Sequence, residues 1–257
     1  MAYTPFNLAG KVALITGGNR GIGFGFAEAI TQAGGSVAIW GTNATNNAEA
    51  VKKLGGTTKA WTVNVADETQ VAAAMTDVAK HFGRIDSVFA NAGIGGGAKS
   101  FAEFPTDVYR RVLSVNLDGV FFTLREAAKH MVERAKAGDP GGSLVGIASL
   151  AAIEGAARNE AYAATKGAVV SMIKSIAVEH ARYGVRANSV LPGWIATDMT
   201  QGAQDNPAFA DKVIPRVPMR RWGEPKDFGG VAVYLTSDAS SYHSGDSFVI
   251  DGAYSIF

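Results

Sequence analysis

Tyr162 and Lys166 are the side chains whose types and spacing point most directly to proton chemistry. They begin and end the pentapeptide YAATK, whose composition is helical, so a helix would place both on one face. A phenol has a pKa of about 10, and a nearby, partly desolvated ammonium group stabilises its phenolate. The pair therefore predicts a tyrosine that exchanges protons with a bound molecule. The alternative for an isolated pair is that the tyrosine packs on a helix while the lysine lies in water.

The glycine-rich segment TGGNRGIG at residues 16–23 follows the apolar run 12–16 and precedes a helical segment. Glycine lets a backbone approach a pyrophosphate closely, and a helix N-terminus offers unpaired N–H groups to an anion. A glycine turn can also merely pack a strand against a helix. The position of this turn after the first apolar run favours a dinucleotide site.

Ser149 follows another apolar run, which ends at Ala148. This order predicts that its hydroxyl lies at the carboxyl edge of a sheet, where it could bond a substrate oxygen, although strand-end serines also serve as turn or cap residues. Asn116 lies in a helical segment, where an asparagine can simply bond the local backbone.

Taken together, these motifs resemble those of the classical short-chain dehydrogenases/reductases. The glycine spacing GxxxGxG, the tripeptide Asn91-Ala92-Gly93 and the YxxxK pair resemble family motifs, and Ser149 lies thirteen residues before Tyr162, as in that family. The segment PGWIAT at residues 192–197 and the dipeptide DG at 251–252 complete the resemblance. The joint order of these elements through most of the chain is highly specific.

The resemblance implies reversible hydride transfer between NAD(P)(H) and a ketone, an aldehyde or a secondary alcohol. Tyr162 would be the acid/base, Ser149 would orient the carbonyl, and Lys166 would also bind the ribose hydroxyls. Asn116 would hold a water beside Lys166. These four residues form the predicted catalytic set. The predicted nucleotide-binding residues are Gly17, Asn19, Arg20, Gly21, Ile22, Gly23, Thr42, Asn43, Asn64, Val65, Asn91, Ala92, Gly93, Tyr162, Lys166, Pro192, Gly193, Ile195 and Thr197.

The segment after the second apolar run bears on which nicotinamide cofactor is used. An acidic residue there commonly binds the adenosine ribose of NAD, but Gly41 occupies the expected position. Arg20 could pair with a 2′-phosphate, while Thr42 and Asn43 could bond either cofactor. We therefore expect a preference for NADP(H). Asn64, which replaces a frequent aspartate, could accept a hydrogen bond from adenine.

The elements that must position these residues alternate between short apolar runs and longer Ala-rich segments. The runs are predicted as strands at residues 12–16, 36–40, 60–65, 85–91, 143–148, 186–191 and 247–250. This alternation predicts an α/β, Rossmann-type, doubly wound parallel sheet of about seven strands with helices on both faces. No linker interrupts it, so residues 1–257 are assigned to one catalytic domain. The irregular segment 192–218, with four prolines, is predicted to be a substrate lid.

Substrate recognition is less strongly indicated by the sequence. Trp194, Ile153, Met199 and Phe209 could form an apolar pocket or could be core or interface residues. The polar residues between Ser149 and Tyr162 that could add recognition are Glu154, Arg158 and Asn159.

Composition excludes several classes of function. A net charge of +1 provides no field for nucleic acid or an anionic membrane, and the absence of cysteine excludes thiol chemistry. The four histidines lack metal-ligand spacing, so no metal is expected. The first ten residues, MAYTPFNLAG, lack an export signal, and no run approaches the roughly 20 apolar residues of a membrane span. A cytoplasmic location is expected.

Three questions stay open at this point. Reduction of a 3-oxoacyl thioester would use the same residues, and a noncatalytic NADP(H)-sensing protein could retain the fold. The apolar ending AYSIF at 253–257 could be buried in a homotetramer or homodimer, as the family resemblance implies, or could fold back on its own subunit.

Overall fold

Seven parallel strands form one sheet in the computed structural model, which describes residues 4–257. The strands are β1 (Val12–Thr16), β2 (Ser36–Gly41), β3 (Thr58–Thr62), β4 (Ser87–Ala90), β5 (Gly142–Ile147), β6 (Val185–Pro192) and β7 (Ser247–Ile250). Their order is β3-β2-β1-β4-β5-β6-β7, so the direction of winding reverses between β1 and β4. This confirms the expected Rossmann-type, doubly wound fold in a single domain. Residues 1–3, part of the segment assessed for an export signal, lie outside the described residues.

Within residues 4–257, ten α-helices lie between and around the strands. They are α1 (Gly21–Gln32), α2 (Ala44–Leu54), α3 (Glu68–Phe82), α4 (Thr106–Leu113), α5 (Gly119–Lys136), α6 (Ala151–Glu154), α7 (Glu160–His180), α8 (Gln201–Gln204), α9 (Pro207–Val213) and α10 (Gly229–Thr236). A π-helical turn at Ser114–Asp118 joins α4 to α5.

The core has two layers, one on each face of the sheet. In β1, Leu14 packs with apolar residues of α3, α5 and α7, whereas Ala13 and Ile15 pack with those of α1 and α10. Because β1 lies in the middle of a sheet covered on both faces, it is apolar from Val12 to Ile15 and buried along its whole length. This explains why continuous apolar runs, rather than alternating ones, marked the strands in the sequence.

The predicted strand boundaries are correct for β1 and β7 and close for most others. The third strand was placed at 60–65 but spans Thr58–Thr62, because it pairs with β2 only from Val37↔Thr58 to Gly41↔Thr62. Val63 and Val65 are nevertheless buried, which explains why the apolar pattern continued past the strand. The fourth strand is likewise shorter than residues 85–91.

The C-terminal residues divide into a buried and an exposed part. Tyr254 is 8% exposed, and the Arg216 guanidinium lies 4.5 Å from its ring centroid. Ile256 and Phe257 are 87% and 71% exposed. The first part of the ending therefore packs on its own chain, whereas the last two apolar side chains remain available for another surface.

No helix in residues 4–257 combines the length and the apolar character needed to cross a membrane. In the same residues, no three His, Asp or Glu side chains are grouped in a way that could hold a metal ion.

Candidate active site

Thr16 joins the carboxyl ends of β1 and β4, where the winding of the sheet reverses. Its Oγ1 accepts hydrogen bonds from Asn91 N at 2.9 Å and Ala92 N at 2.8 Å. The side chain of Asn91 donates as well, from Nδ2 to Thr16 O at 2.9 Å. Open α/β sheets bind ligands in the crevice at this reversal. These hydrogen bonds hold the ends of β1 and β4 together at the crevice. Thr16 is therefore a site residue that sequence reasoning missed.

The glycine turn between β1 and α1 has the geometry that a bound pyrophosphate needs. Gly17 has φ +65°, and a Cβ on Gly23 would overlap the Gly17 carbonyl oxygen and lie 2.6 Å from Asn91 Nδ2. Helix α1 begins at Gly21, earlier than expected, with no side-chain cap from Arg20 and no acidic residue in its first turn. The exposed N–H groups and the helix dipole therefore fit a phosphate group.

A groove of about 680 Å³ runs along this edge of the sheet. The predicted nucleotide residues that line it are Gly17, Asn19, Arg20, Gly21, Ile22, Thr42, Asn43, Asn64, Val65, Asn91, Ala92, Gly93 and Thr197. Lining residues that the sequence analysis did not assign to the nucleotide are Trp40, Gly41, Asn46, Val63, Ile94, Gly95, Val115, Asp198 and Met199. The remaining predicted nucleotide residues, which do not line it, are Gly23, Tyr162, Lys166, Pro192, Gly193 and Ile195. The groove has the size and lining expected for a dinucleotide.

Three predicted nucleotide residues at the end of β6 have structural contacts. Ile195 is 5% exposed, and its Cδ1 occupies the space where Gly223 would carry a side chain. Pro192 O accepts from Leu150 N at 3.1 Å, and Gly193 N donates to Ile250 O at 3.0 Å. These contacts hold the ends of β6 and β7, and a cofactor contact of these residues stays a prediction.

Gly41 lies where an acidic residue would bind the adenosine ribose of NAD. A Cβ at this position would overlap Asn19 Nδ2 and Asn47 Oδ1, which are bonded to each other at 2.8 Å. Asn47 Nδ2 also donates to Gly41 O at 3.0 Å. The space of a carboxylate side chain is therefore filled by an asparagine pair that the sequence analysis did not anticipate.

Arg20, the expected partner of a 2′-phosphate, lines the groove but already has a carboxylate partner. Its Nη1 lies 3.1 Å from Asp198 Oδ2, with side chains 65% and 72% exposed. Such an exposed pair is worth little, so a phosphate could replace the carboxylate at small cost.

Asn43 and Asn64 line the groove while bonding local backbone. Asn43 Oδ1 accepts from Asn46 N at 2.9 Å and caps α2. Asn64 Oδ1 accepts from Ala66 N at 3.1 Å, so the oxygen expected to meet adenine already has a donor.

Tyr162 and Lys166 share one face of α7, as their spacing predicted. Lys166 is buried, its Nζ lies 5.3 Å from the Tyr162 ring centroid, and it donates to Ile147 O at 2.8 Å. Ser149 follows β5 and lies close enough to influence the Tyr162 hydroxyl. The structure therefore brings these three predicted residues together and shows that Lys166 does not lie in water.

Burial changes the acidity of both α7 groups. It lowers the pKa of Lys166 from 10.5 to about 8, because a buried ammonium has lost its hydration. It raises the pKa of Tyr162, and the Ser149 hydroxyl opposes this only in part. The expected lowering of the Tyr162 pKa is not found in the protein alone, since burial is the largest cause of the shift and only the Ser149 hydroxyl opposes it. This direction favours the protonated form of Tyr162.

Asn116 lies in the π-helical turn between α4 and α5 and is fully buried. Its Oδ1 accepts from Ile94 N at 2.8 Å, and its Nδ2 donates to Ile94 O at 2.9 Å. A Cβ on Gly93 would lie 3.4 Å from Asn116 Oδ1 and 3.6 Å from Lys166 Nζ. Asn116 is therefore near Lys166, as expected, but its amide holds the loop after β4.

The four apolar residues suggested for a substrate pocket do not form one. The Trp194 and Phe209 rings are 5.1 Å apart and pack with Tyr254 in a small core cluster. Ile153 is 58% exposed, and Met199 lies on the rim of the groove. Of the alternatives left open by the sequence, Trp194 and Phe209 therefore follow core packing, because residue type alone does not separate a pocket from packing.

The polar residues suggested for substrate recognition lie between Ser149 and Tyr162. Glu154 and Arg158 are exposed. Arg158 has φ +66°, and its backbone oxygen accepts from Ala98 N at 2.9 Å. Asn159 has a buried Oδ1 with no hydrogen-bond partner in the described part of the chain.

Comparison with known proteins gives consistent results along the whole chain. A family model described as Enoyl-(Acyl carrier protein) reductase matches residues 17–255. The chain is 36% identical over 256 residues to 2-dehydro-3-deoxy-D-gluconate 5-dehydrogenase of Pseudoalteromonas atlantica, covering 97% of each chain. It is 35% identical over 250 residues to 5-keto-D-gluconate 5-reductase of Escherichia coli, covering 96% of each. The crystal structure of a gluconate 5-dehydrogenase from Burkholderia cenocepacia in complex with NADP and tartrate superposes with a TM-score of 0.91, at 33% identity, covering 98% of this chain and 97% of that one.

Proposed function

Because this chain belongs to the classical short-chain dehydrogenase/reductase family of NAD(P)-dependent oxidoreductases, we propose that it interconverts a keto group and a secondary alcohol of a sugar acid. The observation that carries the proposal is the position of buried Lys166 against Tyr162, beside Ser149. The groove, whose lining residue Gly93 lies beside Lys166, fits a dinucleotide in size and in its glycine turn.

The substrate class is inferred from relatives that match nearly the whole chain. Those named above act on keto or deoxy derivatives of gluconate, and the structure from Burkholderia cenocepacia holds tartrate, a hydroxy acid. A sugar acid has several hydroxyl groups and one carboxylate. We therefore expect polar rather than apolar substrate contacts, which agrees with the absence of a pocket formed by the four suggested apolar residues.

In the proposed mechanism, the nicotinamide, when bound, supplies a hydride to the carbonyl carbon or accepts one from the alcohol carbon. Tyr162 donates its proton to the carbonyl oxygen during reduction, and its raised pKa keeps that proton available near neutral pH. Ser149 donates a hydrogen bond to the same oxygen and orients it. In the oxidative direction, Tyr162 must first release its proton, and Lys166 stabilises the resulting phenolate.

Replacement of Tyr162 by phenylalanine tests the role of this hydroxyl. We expect Tyr162→Phe to lower kcat by about 10² to 10⁴-fold with NADPH and 5-keto-D-gluconate, because the proton donor is lost. NADPH affinity, measured by fluorescence titration, should change little. Tyr183→Phe is the matched control and should leave kcat unchanged. A Tyr162→Phe protein with normal turnover and normal nucleotide binding would exclude the acid/base role.

A second candidate is reduction of a 3-oxoacyl thioester, because the description of the matching family model also names an acyl-carrier substrate. Ser149, Tyr162 and Lys166 would serve equally in the reduction of a 3-oxoacyl group. The two candidate functions therefore differ only in the substrate that is bound. Rates with keto sugar acids and with a 3-oxoacyl thioester, followed at the absorbance band of NADPH, separate the two. Nucleotide binding without turnover of either class would favour the noncatalytic NADP(H) sensor.

Three further proposals concern the cofactor, the lid and the assembly. NADP(H) is preferred over NAD(H), because Gly41 supplies no carboxylate and Arg20 lines the groove. Residues 192–218, which include α8 and α9, close over the substrate. The chain assembles as a homotetramer or homodimer through surfaces that include the exposed Ile256 and Phe257 side chains.

A further inference from the structure

The glycine at position 41 is required by its neighbours rather than by its backbone conformation. Gly41 is the last residue of β2, it pairs in register with Thr62 of β3, and its φ lies outside the left-handed region. Other residues adopt such a strand backbone without strain. A Cβ at Gly41 would, however, overlap Asn19 Nδ2 and Asn47 Oδ1. A side chain at position 41 is therefore excluded by two asparagine side chains.

Asn47 is held in place, so it cannot simply turn aside for a larger neighbour. It lies in α2, is 4% exposed and does not line the groove. Its Nδ2 donates to Gly41 O at 3.0 Å and to Trp61 O at 3.3 Å. Because both of these partners are carbonyl oxygens, they determine which end of the amide is the nitrogen, and Oδ1 must face Asn19. Asn47 thus joins α2 to the ends of β2 and β3 in one orientation.

The orientation of Asn47 also sets that of Asn19 in the glycine turn. Asn47 Oδ1 can only accept a hydrogen bond, so Asn19 presents its Nδ2, at 2.8 Å. An amide nitrogen carries two hydrogens, so one N–H of Asn19 remains after this bond. Asn19 is half-buried and lines the groove next to Arg20. The remaining N–H is a donor that fits a phosphate oxygen of a groove ligand.

We propose that Asn47 is a positioning residue for cofactor selection, an inference that rests on the proposed use of a nicotinamide dinucleotide. By holding Asn19, it keeps a neutral donor next to Arg20 for the 2′-phosphate of NADP(H). It also excludes from position 41 the carboxylate that would bind the adenosine ribose of NAD(H). The preference for NADP(H) is thus maintained by a buried residue outside the groove lining, and an acid at position 41 alone does not reverse it.

Binding of the adenosine halves of the two cofactors tests this role without any turnover. Adenosine 2′,5′-bisphosphate carries the 2′-phosphate of NADP(H) and AMP lacks it, so the ratio of their Kd values, measured by isothermal titration calorimetry, reports selection. We expect Asn47→Ala to reduce the preference for the bisphosphate by about three-fold or more, because Asn19 is released. A merely structural role would weaken both ligands equally. Asn7→Ala, at an exposed asparagine before β1, should leave the ratio unchanged.

These Kd values do not depend on the sugar-acid substrate or on Tyr162. A protein that selects the bisphosphate through Asn47 but reduces no sugar acid would contradict the proposed function and leave this inference standing. A Kd ratio that Asn47→Ala does not change would overturn this inference and leave the proposed reaction standing.

An acidic residue at position 41 tests the exclusion directly. Gly41→Asp should weaken AMP binding by about ten-fold, because the asparagine pair must shift. Gly41→Asp combined with Asn47→Ala should bind AMP about ten-fold more tightly than Gly41→Asp alone, because the carboxylate then has space beside the ribose. Gly41→Asp combined with Asn7→Ala should behave like Gly41→Asp. AMP binding as tight in Gly41→Asp as in its combination with Asn47→Ala would overturn the proposal.

Thermal unfolding without nucleotide keeps the test informative where Gly41→Asp does not fold. Gly41→Ala adds only the Cβ, and it should lower the Tm of the wild-type protein by about 4 °C or more. The same substitution in the Asn47→Ala protein should lower the Tm by less than about half as much, because the overlapping Asn47 oxygen is gone and Asn19 is free to turn. Equal decreases in the two proteins would show that Asn47 does not exclude a side chain from position 41.

Discussion

The Lys166 ammonium group is buried in the interior of the protein, and this burial strongly affects the acid–base properties of the candidate site. The YxxxK spacing predicted that Tyr162 and Lys166 share a helix face, because helical geometry follows from sequence separation alone. The pKa direction of Tyr162 could not be predicted, since it depends on the desolvation produced by surrounding elements. The pair is better prepared to give a proton than to take one.

The buried Lys166 should make folding stability depend on pH. Since its folded pKa of about 8 lies below the unfolded value of 10.5, the unfolded chain binds more protons between these pH values. The free energy of unfolding therefore rises with pH through this window, by about 2 kcal/mol between pH 7.5 and 9.5. Urea unfolding of Lys166→Met should lack this rise, while exposed Lys174→Met on the same helix keeps it. An equal rise in both variants would contradict the assignment.

Arg20 should determine the cofactor preference at the rim of the groove. We expect Arg20→Ala to raise KM for NADPH by about ten-fold and to leave KM for NADH nearly unchanged, because only NADPH carries the 2′-phosphate. Steady-state rates with both cofactors measure the ratio. Asp198→Asn, which releases Arg20 from its carboxylate, should preserve or increase the preference for NADPH. An unchanged ratio in Arg20→Ala shows that this residue does not bind the phosphate.

At the scale of elements, short-range patterns were sufficient to locate strands and turns but not the contacts between them. The seven apolar runs predicted all seven strands, because strands of a sheet covered on both faces are mostly apolar rather than alternating. The Asn19–Asn47 pair beside Gly41 joins residues 28 positions apart, and the Trp194 ring lies 6.5 Å from that of Tyr254 near the C-terminus. Such contacts depend on how elements meet, and no local pattern encodes them.

The π-helical turn between α4 and α5 positions Asn116. We expect the main role of the Asn116 amide to be in the stability of the fold. Asn116→Ala leaves the N–H and C=O of Ile94 without partners, so the free energy of unfolding should fall by about 2 kcal/mol. Urea denaturation measures the change, and exposed Asn206→Ala serves as control. Unaltered stability of Asn116→Ala would mean that this loop is held by other contacts.

On the scale of the whole molecule, the fold and the family could be predicted from the sequence. The assembly could not, because subunit contacts form between the surfaces of separate chains. The order of the glycine turn, Asn91, Ser149, Tyr162 and Lys166 was enough to predict the family, because each lies at a strand end or on a helix next to one. The polar cavity of about 240 Å³ at the amino edge of the sheet had no sequence signal, since its four cations, Lys11, Arg84, Arg134 and Arg186, come from four distant segments.

The last two apolar side chains should contribute to the proposed assembly. A double variant, Ile256→Ser with Phe257→Ser, is expected to have a lower mass in solution at micromolar concentration, because the proposed subunit contact loses both apolar side chains. Light scattering after size-exclusion chromatography measures the mass. Phe101→Ser, at a side chain exposed to a similar extent, should leave the mass unchanged. A double variant with wild-type mass would place the subunit contact elsewhere.

The pairing of β1 with β4, called the seam below, also affects the order of events in folding. β1 can pair with β2 early, but its register with β4 joins Ala13 to Ser87, which are distant in the chain. Closing so long a loop is slow compared with forming helices and neighbouring strands. The nucleotide crevice exists only after this closure, since Thr16 and Asn91 lie on opposite sides of the seam. During refolding, recovery of NADPH binding should therefore lag behind recovery of helical circular dichroism, so the cofactor reports the moment when the two halves of the sheet join.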